Sequence, residues 1–160
     1  MTHSRIELRP STIREANAAV ARWHRHHRPV VAARFSVAAY VDGELEGVVI
    51  VESPKARALN DGYTFEVSRL CTKPSACANV ASRLLGAAWR ASKAMGVRRL
   101  VSYTRTDEQG ACYRVAGWRP TGTTKGMPWT GGNKRTRWLP GIYEPSTEIV
   151  DRTRWEIGVE

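Results

Sequence analysis

Apolar residues recur along this chain at two spacings, every second residue and every third to fourth, and the switches between them mark out its elements. Arg5 to Arg9 carries the short spacing. Pro10-Ser11-Thr12 is a helix-start signal, and Glu15 lies three residues after Thr12, the spacing of a capping box. The helical spacing then runs through Ile13, Ala16, Asn17, Val20 and Trp23 into a basic cluster ending at Pro29. Phe35 to Tyr40 and Leu45 to Glu52 return to strand patterning around Asp42-Gly43, a hairpin signal. Ser53 to Gly62 reads as a loop.

The centre of the pattern is Tyr63 to Gly96. An extended run from Tyr63 to Thr72 is rich in β-branched and aromatic residues, and a short break follows, Lys73 to Asn79. An amphipathic helix comes next, with Val80, Leu84, Ala88, Ala91 and Met95 on one face and Arg83, Gly86, Arg90 and Lys93 on the other. Gly96 stops it. Arg98 to Thr104 is a further strand. Asp107 and Glu108 open a short helix through Tyr113 and Ala116 to Gly117, and Trp118 to Thr121 begins another strand. From Gly122 the chain is glycine-rich and basic, a long hairpin or loop, and Ile149 to Ile157 forms one more short element. This order predicts an α/β fold, a mixed β-sheet flanked by helices, in a single domain over residues 1–160 with a basic segment from about 122. A hairpin ahead of βαβαβ excludes an all-parallel doubly wound sheet.

Charge changes the picture most. The chain has 25 Lys+Arg against 15 Asp+Glu, a formal +10, which suits polyanions or a phosphorylated cofactor and does not separate the two. No apolar run has the length of a membrane span, so no membrane partner is expected. Three cysteines, Cys71, Cys77 and Cys112, lack metal-ligand spacing and read as free thiols in a reducing compartment. The N-terminus leads straight into a strand-like segment without a signal peptide, and the expected location is the cytoplasm of a bacterial host.

A strand entering a helix through small residues leaves N–H groups beside a positive dipole end, which suits an anion. Backbone donors around Cys71, Thr72, Ala78, Asn79 and Val80, with Ser82 and Arg83 in the first turn, are the candidates to hold it. Glu66 lies inside an apolar strand, where burial raises a carboxyl pKa; it reads as a general base or as the partner of Arg69. Ser68 shares its face by the two-residue period. His24 and His27 share a helix face, but no nearby carboxylate or cysteine completes a metal site, and none is expected. His24, His26, His27 and Arg28 read instead as a cationic helix end that meets phosphates. Lys134, Arg135 and Arg137, interleaved with Trp129 and Trp138, suit phosphates and unstacked bases, or else a solvated loop.

The order of elements from Ile6 to about Thr121 resembles the GNAT acyltransferase superfamily. Leu100-Val101-Ser102-Tyr103, a helix bearing Tyr113, and Gly117-Trp118 opening a strand are the best local match. More narrowly, Glu66-Val67-Ser68-Arg69-Leu70 with Asn79 and Ser82, then Val101-Ser102-Tyr103 and Tyr113…Gly117-Trp118…Gly122, is similar to the phage Mom-like DNA-modification proteins and related small phage proteins. The resemblance implies acetyl-CoA or another acyl-CoA as cofactor, DNA as acceptor, and Tyr113 as the acid that protonates the departing sulfur, with packing as its other role. The loop Lys73 to Asn79 departs from the superfamily in having no glycine. An acetyltransferase of small-molecule or protein amines and a non-catalytic nucleic-acid-binding module are the rival readings. Oligomeric state, a homodimer included, is left open. If an acyl-CoA is held here, the central strand and the Arg98–Thr104 strand must part at the helix N-terminus.

Overall fold

The computed structural model describes residues 4–23, 29–126 and 150–158. Seven strands form one mixed sheet in the order β1-β2-β3-β4-β5-β7-β6. They are β1 (Ile6–Ser11), β2 (Phe35–Val41), β3 (Glu44–Glu52), β4 (Thr64–Thr72), β5 (Arg99–Arg105), β6 (Arg119–Thr124) and β7 (Arg152–Gly158). All neighbours are antiparallel except β4 and β5, which are parallel. The helices are α1 (Ile13–Trp23), α2 (Val80–Ala94) and α3 (Ala111–Val115).

The capping box forms as the spacing predicts: Glu15 N–H donates to Thr12 Oγ1 at 3.2 Å and Thr12 N–H to Glu15 Oε2 at 3.0 Å. Alternation along the strands feeds two cores. Val49, Val51, Phe65, Val67 and Leu100 face α2 with Leu84, Leu85 and Ala88, while Ala38, Val48, Ile50 and Cys71 face α1 with Ala16, Ala19 and Val20. Burying a leucine contributes about 1.5–3 kcal/mol, so Leu84 and Leu85 outweigh the roughly 1 kcal/mol cost of Gly86 in mid-helix. Beyond α1, the chain returns under the clamp of Asn17, whose side chain exchanges two 2.8 Å hydrogen bonds with the Val30 backbone.

Three readings need correction. Met95 is exposed because α2 has already ended there, and Leu85 and Ser92 complete its buried face instead. The short helix begins at Ala111, not Asp107, because Gly110 takes a left-handed φ of 65° just before it. β6 starts at Arg119 and runs to Thr124, and it pairs with β7, so the tail element is a full strand inside the sheet.

Gly110 has a second constraint, since a Cβ there would overlap the Trp155 ring. Gly110→Ala is therefore expected to cost more than about 1 kcal/mol, strain and overlap adding. Urea unfolding measures it, and parent-like stability would mean that Trp155 yields freely.

Candidate active site

β4 and β5 run parallel for four rungs, Thr64 with Arg99 to Val67 with Ser102, and then part. The cause is on β4's other side. Pairing with β3 steps from Ile50–Arg69 to Val51–Val67, which leaves Ser68 as an extra residue, a β-bulge. A bulge bends its strand and increases local twist, so β4 leaves β5 where the expected opening lies.

On the α2 face, Tyr113 sits at the apex of this opening. Its phenol oxygen is 2.7 Å from Ser102 Oγ, and Ser102 Oγ lies 3.1 Å from the Val67 carbonyl, to which it donates. The serine has one proton, so Tyr113 is the donor in their bond. Trp155 stacks on its ring at 5.4 Å and Trp118 meets it edge-on at 5.3 Å. Burial pushes the phenol far above its ordinary range, with Ser102 opposing in part. Trp118 Nε1 is buried without a partner among the described residues.

On the α1 face of the rung before lies Glu66, also buried. Its Oε2 accepts the Lys55 N–H at 3.0 Å. Burial raises its pKa, the Lys55 N–H and charge oppose, Glu52 raises it again and Arg69 lowers it. Glu52 is its partner across the β3–β4 ladder and has Oε2 buried without a hydrogen bond. Tyr103, one residue past the last rung, is half-buried on the same face, its phenol raised by burial and by Glu66. Ser68 cannot be assigned by the two-residue period, which the bulge interrupts at that residue; its hydroxyl donates to Ile50 O at 3.4 Å.

The loop before α2 differs from the expectation in an informative way. Buried Glu46 accepts the Cys77 N–H at 2.8 Å, so a carboxylate of the chain already occupies one loop donor. The Val80 N–H is spent on Cys77 O at 3.4 Å and its side chain is core. The Cys71 thiol, pushed up to about 11 by burial, donates to Ala19 O under α1, on the opposite face from α2. Thr72 ends β4, and Ala78 and Asn79 are exposed, Asn79 with a φ of 72°. Among the described residues, the N–H groups of Ala81 and Ser82 have no acceptor. Ser82 also lines a cleft of about 440 Å³ with Asn79, Arg83, Gly86 and Arg90 of the α2 side, Ala116 after α3 and Ile6 of β1.

A model of the Mom protein family matches residues 5–136. The chain belongs to the Mom protein family. No curated protein sequence matches it. Among solved structures, this Mom-family chain is similar to a Bacillus subtilis acetyltransferase in complex with CoA, at TM-score 0.65 and 17% identity over 99% of this chain and 100% of that one. A GNAT family acetyltransferase from Elizabethkingia anophelis with acetyl-CoA bound gives TM-score 0.61 and 15% identity over 96% and 98%. An N-acetyltransferase from Staphylococcus aureus gives 0.66 and 15% over 98% and 100%. The fold is that of the GNAT acetyltransferases.

In the Mom-family chain, then, Tyr113 and Glu66 flank one apex from opposite faces, and Asn79, Ser82 and Arg83 share one cleft. His24, His26, His27, Arg28, Lys134, Arg135 and Arg137 lie outside the described residues. The three cysteines are free, no described cluster of His, Cys, Asp or Glu could hold a metal, and no described helix is long and apolar enough to cross a membrane. Sequence reading missed Glu46, Ser102 and Arg90. Ser102 had a signal, a hydroxyl within the apolar run Leu100-Val101 that must find a partner. Arg90 had one too, seven residues after Arg83 on the same face. Glu46 had none, because its partner loop is 31 residues away.

Proposed function

We propose that this Mom-family chain transfers an acyl or related group from an acyl-CoA to a base in DNA. The observation that carries the transferase reading is the pair Glu66 and Tyr113 on opposite faces of the sheet where β4 and β5 part. The residues fit the cofactor: Ser82 offers a free N–H in the cleft that Arg83 and Arg90 also line, and a diphosphate is the kind of anion such donors hold. Bound there, an acyl-CoA supplies an acyl group activated as a thioester. Glu66 takes the proton that the acceptor nitrogen loses, from the α1 face. Burial holds the proton on Tyr113, whose bond to Ser102 gives way as the phenol passes it to the departing sulfur on the α2 face. The DNA half of the reading is supported by membership of the Mom family, by resemblance to Mom-like DNA-modification proteins and by the net charge of +10.

The names of the similar structures favour a second reading, acetylation of a small-molecule or protein amine. Mass spectrometry of nucleosides from the DNA of expressing cells decides between them. The expected result is a nucleoside of increased mass, absent when Glu66→Gln is expressed at the same level. An unaltered nucleoside pool, with amine acetylation by the purified protein, would replace the DNA reading by the second.

A further inference from the structure

The part of the sheet that α1 leaves uncovered has its own pattern. β5 reads Arg99-Leu100-Val101-Ser102-Tyr103-Thr104-Arg105 and β7 reads Arg152-Thr153-Arg154-Trp155-Glu156. Antiparallel pairing sets Arg105 opposite Arg152, Tyr103 opposite Arg154 and Val101 opposite Glu156, and residues opposite one another share a face. β6 adds Arg119 opposite Glu156. Leu100, Trp155 and Ile157 take the other face, in the core under α2 and α3. Arginines therefore gather on one side only. α1 packs on β2, β3 and β4, and α2 and α3 belong to the core on the other side.

Among the described residues, this face carries Arg99, Arg105, Arg119, Arg152 and Arg154 beside Glu156 and Asp107. Glu156 is shared by Arg154, at 2.6 Å, and Arg99, at 3.7 Å, so one carboxylate serves two guanidinium groups. Asp107 meets Arg105 at 3.0 Å, and Arg119 and Arg152 are exposed. From Arg99 to Arg105 the face is about 20 Å long, the rise of about six base steps. At its inner border stand Tyr103, a ring on which a base can stack, and Glu66, where β4 and β5 part. Glu66 is buried, so a base must leave its helical stack to reach it.

We infer that this arginine face of β5, β7 and β6 seats the sugar–phosphate backbone of the DNA, delivering an unstacked base to the Tyr103–Glu66 border. The inference rests on the DNA reading above and gives it a location on described strands.

The test is the salt dependence of binding to a short fluorescent DNA duplex. The parent is expected to lose affinity steeply with salt. Arg119→Ala/Arg152→Ala should flatten the log–log slope by about two, at about 0.9 per phosphate contact on duplex DNA, and Arg152→Gln alone by about one. Arg5→Ala/Lys93→Ala removes the same charge from the far edge and the α2 side and should leave the slope as it is. A steep parent slope that the face variants leave unchanged would overturn the location and keep the DNA reading. Weak, salt-insensitive binding by the parent would overturn both. Equal displacement of the DNA by polyglutamate would assign the face to acidic polypeptides instead.

Discussion

Glu66→Gln is expected to fold like the parent and to lose about 10²–10⁴-fold in turnover, the usual contribution of a positioned base. The glutamine carbonyl can still accept the Lys55 N–H, so the loop above it keeps its anchor. A base must be ionised to act, and burial raises the Glu66 pKa, so parent activity should climb with pH over a range above ordinary carboxylate titration. Stability should move the other way. With a folded pKa above the unfolded one, the stabilisation due to the bound proton is full below the unfolded value and is lost as pH rises through the folded one. Glutamine is neutral throughout. At neutral pH the variant should therefore melt no lower than the parent, and higher if the charge is costly. Turnover, its pH profile and a melting curve measure the three effects; parent-like turnover would return Glu66 to a structural role.

Tyr113→Phe should be comparable in turnover, again about 10²–10⁴-fold down, for a different reason. Only the proton donor is removed. The ring remains between Trp118 and Trp155, so acyl-CoA affinity should not change, and the lost bond to Ser102 costs about 1 kcal/mol. Because burial holds the phenol far above its usual range, the parent should show no fall in rate at moderately alkaline pH from loss of this proton. Single-turnover rates with saturating cofactor check the prediction. Full activity in the phenylalanine variant would leave Tyr113 as a packing residue.

Local patterns carried the elements: Thr12 with Glu15 marks one helix start, Asp42-Gly43 the first hairpin, and Val80 and Leu84 a helix face. They did not carry the bulge. Thr64 to Thr72 reads as one regular strand because Ser68 is extra only relative to β3, its ladder partner. For the same reason Glu66 could be singled out by its own buried charge, while Glu46 and Glu52 could not, each being defined by a distant partner. The side chains of Cys71 and Val80 are core, which their positions at a strand end and a helix start leave open in the sequence. Tyr113 could be picked out through resemblance, but its clamp by Ser102 and Trp155 joins three separate elements.

β7 lies between β5 and β6 although it is the last described strand in the chain. During synthesis the cleft at α2 and the Glu66 side of the apex can take shape while β5 and β6 still stand apart, since a chain leaves the ribosome from its N-terminus. Trp155, the stacking partner of Tyr113, then arrives together with Arg152 and Arg154. One late strand thus finishes the proposed acid and the proposed DNA seat in a single event. A chain cut short before Arg152 would therefore lose the stacking partner of Tyr113 and two arginines of the proposed seat together.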